Sequence, residues 1–156
     1  MRSLTLLLII ICSFATACQQ KATNNTTEAP AADASAAPEL ADGSYCYQYA
    51  VGRDTTYVNL IVNGNDVSGE MNWTPYEKDG AYGTLQGTRN GNEIAASWTY
   101  TIEGSNQTEA VLFKVEGDHL MRKVGELEDP NNDGNLKMKD PASATYSEHY
   151  TKVTCP

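Results

Sequence analysis

The sequence predicts an all-β domain built as a single antiparallel meander, and three observations lead to that prediction. From residue 44 onward, apolar and polar side chains alternate with a period of two, as in strands with one buried face. Gly, Asn and Asp recur between the alternating segments, as at Asn63-Gly64 and Asn90-Gly91, and these residues tolerate the positive φ of hairpin turns. No segment of the domain shows sustained helical periodicity. We therefore expect about eight or nine short strands.

The alternation assigns every second side chain of a strand to one face. The clearest stripe lies in residues 93–102, where Ile94, Ala96, Trp98, Tyr100 and Ile102 share a face. Residues 141–144 are expected to form a turn or a single helical turn. The predicted strands are 45–51, 55–63, 67–73, 81–89, 93–102, 109–115, 120–124, 136–139 and 149–154.

Closure into a barrel is favoured over an open sandwich. A meander has two edge strands, and pairing them with each other removes both edges. Cys46 lies near the start of the domain and Cys155 next to its end, which predicts a structural disulfide that brings the first and last strands together. A redox pair or a thiolate metal site is the alternative, but there is no C-x-x-C spacing and the only histidines are His119 and His149.

A family resemblance supports the same architecture. Gly43-Ser44-Tyr45, at the start of the first predicted strand, resembles the Gly-x-Trp opening of lipocalins and related calycin barrels, with Tyr in place of Trp. A disulfide to the C-terminal segment also occurs in lipocalins. The resemblance implies a calycin-like barrel of about eight strands, and it implies an architecture more than a ligand.

The N-terminus has the form of a secretory signal peptide, predicted over residues 1–17. A basic Arg2 precedes the apolar run 4–11, which is too short to span a bilayer as a permanent helix. Ala15-Thr16-Ala17-Cys18 resembles the lipobox of bacterial lipoproteins, although Ala15 stands where that family usually has Leu. The resemblance implies that Cys18 carries acyl chains such as palmitate and becomes the first mature residue. The alternative is ordinary cleavage after Ala17, which leaves a free thiol on Cys18.

The residues after Cys18 predict which membrane holds the domain and how the domain is attached to it. Gln19-Gln20 stand where an acidic residue would be expected for inner-membrane retention, so similarity to the enterobacterial sorting rule implies the outer membrane. Residues 18–42 are dominated by Ala, Thr, Asn, Pro, Gln and Ser, and such a composition predicts a lipidated, disordered tether. The β-barrel domain is then predicted to span residues 43–156.

The overall charge disfavours nucleic acid as a partner. The chain has 20 acidic and 11 basic residues, and its net charge is −9. A nucleic-acid-binding face would need a cluster of Lys and Arg.

One loop resembles the calcium loop of EF-hands. Oxygen-bearing residues occupy alternate places, Gly134 stands at the sixth place, and a carboxylate stands at the twelfth. The twelfth residue is Asp rather than the usual Glu, and neither flank has a helical pattern. The alternative is a polar hairpin loop, which uses the same residue types. The candidate calcium ligands are Asp129, Asn131, Asp133, Asn135 and Asp140.

The barrel interior is the second candidate site. Large aromatic and thioether side chains alternate with small residues on the inward faces, and an eight-stranded barrel can enclose one small apolar molecule. The alternative is that these side chains simply fill the barrel. The candidate ligand-binding residues are Met71, Trp73, Trp98 and Tyr100.

Catalysis has little support in the sequence. There is no G-x-S-x-G motif and no metal triad, and the paired carboxylates Glu70 with Glu77, or Glu103 with Glu109, are expected to be solvated on outward strand faces. We expect a non-catalytic binding or interaction module. The alternatives are a lipocalin-like carrier of a small apolar ligand, and an accessory or inhibitor protein that binds a protein partner with its outer surface.

Overall fold

A computed structural model describes residues 40–156. The predicted signal peptide, Cys18 and most of the predicted tether lie outside the described residues. Between residues 40 and 156 there is no helix long and apolar enough to cross a membrane. The described chain is all-β, as predicted, and its strands are β1 (Gly43–Val51), β2 (Asp54–Asn63), β3 (Asp66–Thr74), β4 (Ala81–Asn90), β5 (Glu93–Ile102), β6 (Ser105–Glu116), β7 (His119–Val124), β8 (Leu127–Glu128), β9 (Asn135–Met138) and β10 (Thr145–Val153).

Eight of these strands form a closed antiparallel barrel. Each strand from β1 to β6 pairs with the next one along the chain, and β10 pairs with both β7 and β1. The pairing of β5 with β6 closes the ring. The predicted meander and its closure into an eight-stranded, calycin-like barrel are therefore confirmed.

The disulfide between Cys46 and Cys155 is formed, as the sequence predicted. Its two Cα atoms are 5.2 Å apart, and the bond joins positions separated by 109 residues. Cys46 lies on β1 opposite Val153 of β10. The bond therefore holds together the two strands that the chain contributes first and last.

The hairpin of β8 and β9 is the part of the fold that differs from a simple meander. The segment predicted as strand 136–139 forms β9, but this strand lies outside the barrel ring. It pairs antiparallel with β8 and parallel with β6, where Thr108 lies opposite Asn135. The two residues of β8 are too few to show an alternating pattern, so only the pairing with β9 identifies them as a strand.

The start of β6 also lies earlier than predicted, at Ser105 instead of residue 109. Glu103 and Gly104 form the turn after β5, and both have a positive φ. This tight turn brings Ser105 directly opposite Ile102, so a polar segment without alternation becomes strand.

The interior of the barrel is filled by apolar side chains from every barrel strand. The phenol of Tyr47 is almost completely buried, and burial, followed by the charges of Tyr45 and Asp118, raises its pKa to about 12. Gly83 allows close approach of the neighbouring strand, because a Cβ there would overlap the backbone of Thr99 and Tyr100. The largest fully buried side chains are Tyr47, Tyr150, Phe113, Leu60, Met71, Leu85, Ile94, Leu120, Val58, Val67 and Val111.

The two ends of the barrel differ, and we call the end at which the chain enters the proximal end. There the amide of Gly64 donates to Asp42 at 2.8 Å, and the guanidinium of Arg89 donates to the carbonyl of Leu40. Residues 40–42, which the sequence placed in the tether, thus pack onto the barrel. The opposite, distal end is the one where β1 finishes at Val51.

Candidate binding site

A cavity of about 320 Å³ opens at the distal end of the barrel. This volume lies at the lower end of the range of small-molecule sites, roughly 300–1,000 Å³. The antiparallel register brings the distal parts of six strands together around it. The residues that line this distal cavity are Tyr49, Val51, Asp54, Thr56, Met71, Trp73, Trp98, Arg122 and Glu148.

Aromatic side chains form the apolar walls of the distal cavity, and their positions are held by neighbours. The indole N–H of Trp98 donates to the carbonyl of Met71 at 2.8 Å. The ring of Trp98 stacks on Tyr100 with 3.9 Å between centroids and an interplanar angle of 22°. Because its N–H is already engaged, Trp98 contributes apolar ring surface to the cavity wall.

Three of the four predicted ligand-binding residues lie in the cavity wall. Met71, Trp73 and Trp98 line the distal cavity, whereas Tyr100 is not among its lining residues. Tyr100 instead supports Trp98 by stacking, and its hydroxyl donates to Oε1 of Gln107 at 2.8 Å. The structure therefore gives Tyr100 a supporting position rather than a place in the wall.

A network of charges lies inside the barrel at the distal cavity. Arg122 projects inward from β7, and its Nη2 lies 2.5 Å from Oε1 of Glu109 on β6. Its Nη1 lies 3.3 Å from Oε2 of Glu148 on β10, and the hydroxyl of Tyr150 donates to the same oxygen at 2.8 Å. The Nε–H of Arg122 is buried and has no hydrogen-bond partner among the described residues. The charge network thus contains two carboxylates and one guanidinium.

The environment of the charge network keeps Arg122 charged. Burial acts to lower the pKa of the guanidinium, but the charges of Glu109 and Glu148 and the hydrogen bond to Glu109 raise it above its ordinary value overall. The pKa of Tyr150 is raised by burial and then by the charge of Glu148, so its hydroxyl stays protonated and donates.

The expectation that Glu109 is solvated on an outward face is wrong. Its residue exposure is 5%, because it lies on the same face of β6 as Val111 and Phe113 and points into the barrel. Glu70, Glu77 and Glu103 are exposed, as expected.

A signal for the charge network was present in the alternation. Arg122 follows the buried Leu120 by two residues, and Glu148 precedes the buried Tyr150 by two. Charged residues are rarely buried unless paired, and Arg122, the partner of Glu109, lies on a different strand, β7. The alternation therefore marked three inward charges, but it did not show that they meet.

Arg122 and Glu148 also line a second cavity of about 220 Å³ beside the β8–β9 hairpin. Glu109, Leu127 and Met138 contribute to its walls. The charge network is therefore reached from two sides.

The predicted calcium loop lies between β8 and the turn before β10, and backbone amides occupy its carboxylates. Asp129 accepts from the amides of Asp133 and Gly134, at 3.2 and 2.9 Å. The carboxylate of Asp133 accepts from the amide of Asn135, and hydrogen bonds from the Asn135 side chain and backbone lower its pKa. Asp140 accepts from the amide of Ala142 at 3.0 Å. These contacts are those of a self-capped polar loop.

The loop residues do not form a cluster of anionic ligands. Within residues 40–156, no three His, Cys, Asp or Glu side chains come together in a geometry that could hold a metal ion. Asn131 and Asn135 supply only amide oxygens to the loop. Calcium binding stays a prediction from the sequence.

Comparison with known proteins gives no relative. No protein-family model matches the sequence, and no curated protein or solved structure is significantly similar to it. The site is therefore interpreted from its own chemistry.

Proposed function

We propose that this protein is an acylated lipoprotein of the bacterial envelope, held at the outer membrane through Cys18, whose barrel binds a small molecule in the distal cavity. The cavity itself is the observation that carries the proposal. It combines aromatic walls with the charge of Arg122 and Glu148 in one concave site. Apolar walls with a few convergent polar groups are the usual composition of small-molecule sites.

The position of the cavity fits an anchored binding module. β1 begins at the proximal end with Gly43 and finishes at the distal end with Val51, which is itself a lining residue. The cavity mouth therefore lies at the end of the barrel away from the point at which the chain enters. A ligand reaches it without passing that entry point.

The lipocalin-like alternative receives support only at the mouth of the barrel. The side chains of Leu60, Leu85 and Phe113 are fully buried in the filled core. A ligand would thus occupy the distal cavity and not the middle of the barrel.

Ligand binding is tested by native mass spectrometry of the full chain purified from its own envelope. We expect a small-molecule adduct on the wild-type protein. Thr56→Phe is expected to remove it, because Thr56 lines the cavity and the larger ring occupies the space. Thr84→Phe is the matched control, since Thr84 is exposed on the outer face of β4, and it should keep the adduct. A wild-type mass without any adduct would contradict the proposal.

The anchor is tested by partition of the protein between a detergent phase and an aqueous phase, together with the mass of its N-terminal peptide. Wild-type protein is expected in the detergent phase with acyl mass on Cys18, since several acyl chains bind a membrane stably. Cys18→Ser should lose the acyl mass. Cys12→Ser, which changes the other cysteine of the N-terminal segment, should keep it. Equal acyl mass in Cys18→Ser and wild type would refute the anchor.

A protein partner is the second candidate, and the rim of the cavity favours it. Val51 and Tyr76 are large apolar residues at this end and are 58% and 49% exposed. The amide of Tyr76 donates to Asp54, so Tyr76 lies directly beside the mouth. The native mass spectrum separates the two candidates, because a bound protein adds a mass far greater than a metabolite does.

A further inference from the structure

The charges at the distal cavity do not balance. Asp54, Arg122 and Glu148 line the wall, and Glu109 contacts Arg122 from behind. These side chains together comprise three carboxylates and one guanidinium. The nearby cation Arg53 is not part of the wall, because its guanidinium lies over the ring of Tyr76.

This imbalance opposes the binding of an anion. Both terminal nitrogens of Arg122 already contact carboxylates, Nη2 with Glu109 and Nη1 with Glu148. A ligand carboxylate at either terminal nitrogen would have to displace a glutamate. At the unpaired Nε–H it would still lie close to the two carboxylates that contact Arg122, and like charges repel strongly in a partly buried site. Arg122 thus neutralises its own neighbours and leaves negative charge for a ligand.

The walls point the same way. Tyr49, Trp73 and Trp98 all line the cavity, and the faces of aromatic rings attract cations, Trp most strongly. The methyl groups of Val51, which is exposed, add apolar surface for the rest of a ligand. The site therefore combines excess negative charge, aromatic faces and apolar surface.

We propose that the distal cavity binds a small organic cation, an ammonium or guanidinium group on an apolar body. The cationic head lies at Glu148 and Asp54, and the apolar body lies against Trp73 and Val51. This inference rests on the proposed binding function and names the chemical class of its ligand.

Tryptophan fluorescence tests the class directly. Trp73 and Trp98 are the only two tryptophans of the chain, and both line the cavity. The full-length protein is titrated with hexylammonium, hexan-1-ol and hexanoate, which share one apolar body and differ in the charge of the head. We expect hexylammonium to bind at least tenfold more tightly than hexan-1-ol, and hexanoate to bind most weakly.

Two charge variants locate the head of the ligand. Glu148→Gln keeps the shape of the side chain. It is expected to weaken the binding of hexylammonium about tenfold and to change the affinity for hexan-1-ol by less than twofold. Asp54→Asn, at an exposed rim position, should weaken the binding of hexylammonium about threefold. This variant replaces Glu148→Gln in the test if circular dichroism shows that Glu148→Gln is poorly folded. Glu70→Gln is the matched control, because Glu70 is exposed on the outer face of β3, and it should change nothing.

Each other outcome overturns the inference. Binding of hexan-1-ol or hexanoate as tight as that of hexylammonium, or an equal loss in Glu70→Gln, rejects the cation class but leaves a binding cavity. If none of the three probes binds but a native adduct is present, the cation class alone is rejected. If none of the probes binds and no native adduct is found, the binding function is rejected as well.

Discussion

Replacing Arg122 with methionine is expected to destabilise the barrel by about 3–5 kcal/mol at neutral pH. Arg122 lies between Glu109 and Glu148, and its side chain is 17% exposed. Without the guanidinium, two carboxylates remain inside the barrel with no cation between them, and an unpaired buried charge costs much more than a neutral side chain. The free energy of unfolding, measured by urea denaturation, is the readout.

A variant that restores the charge balance shows whether unpaired charge or lost packing causes the loss of stability. The triple variant Arg122→Met with Glu109→Gln and Glu148→Gln is expected to recover most of the lost stability, because no unpaired charge remains. Lys137→Met is the control, since its exposed ion pair with Glu128 is worth about 1 kcal/mol or less. An equal loss of stability in Arg122→Met and in the triple variant would show that packing, not charge, is responsible.

Removal of the disulfide by Cys46→Ala with Cys155→Ala is expected to lower the free energy of unfolding by about 4 kcal/mol. The bond closes a segment with a sequence separation of 109, so it restricts the unfolded chain strongly. It also joins β1 to the chain just after β10, one of the pairings that close the barrel. Urea denaturation with and without a reductant provides the measurement.

The reductant supplies the internal control for the disulfide. Reduced wild-type protein is expected to unfold at the same urea concentration as the double alanine variant, and the reductant should leave that variant unchanged. If oxidised and reduced wild type unfold at the same concentration, the bond does not stabilise the domain.

The strands of the barrel could be predicted well because their signals are local. The stripe of Ile94, Ala96 and Trp98 and the turn at Asn90-Gly91 lie within a few residues of each other. The closure of the ring was predictable from Cys46 and Cys155, since a covalent bond between the ends of a domain limits the possible arrangements. The same reasoning did not predict β8, since its two residues have no periodicity and are strand only through β9.

The candidate site could be predicted only in its apolar part. Met71, Trp73 and Trp98, which line the cavity, could be predicted to point inward because large side chains repeat along their own strands. Glu109 was misplaced, because a single acidic residue in an alternating segment is usually solvated and its partner Arg122 lies on another strand. The alternation along one strand does not indicate which residue lies beside it on the neighbouring strand.

The sequence by itself determined the all-β class, the positions of most barrel strands and the cysteine pair, because alternation, turn residues and thiols act over short range or through one covalent bond. Only the tertiary structure decided that Glu109, Arg122 and Glu148 meet inside the barrel, and that the aromatic walls open at the end opposite Gly43. Those features depend on the register between neighbouring strands, which the alternation along a single strand does not specify. That register is set by the closed ring as a whole.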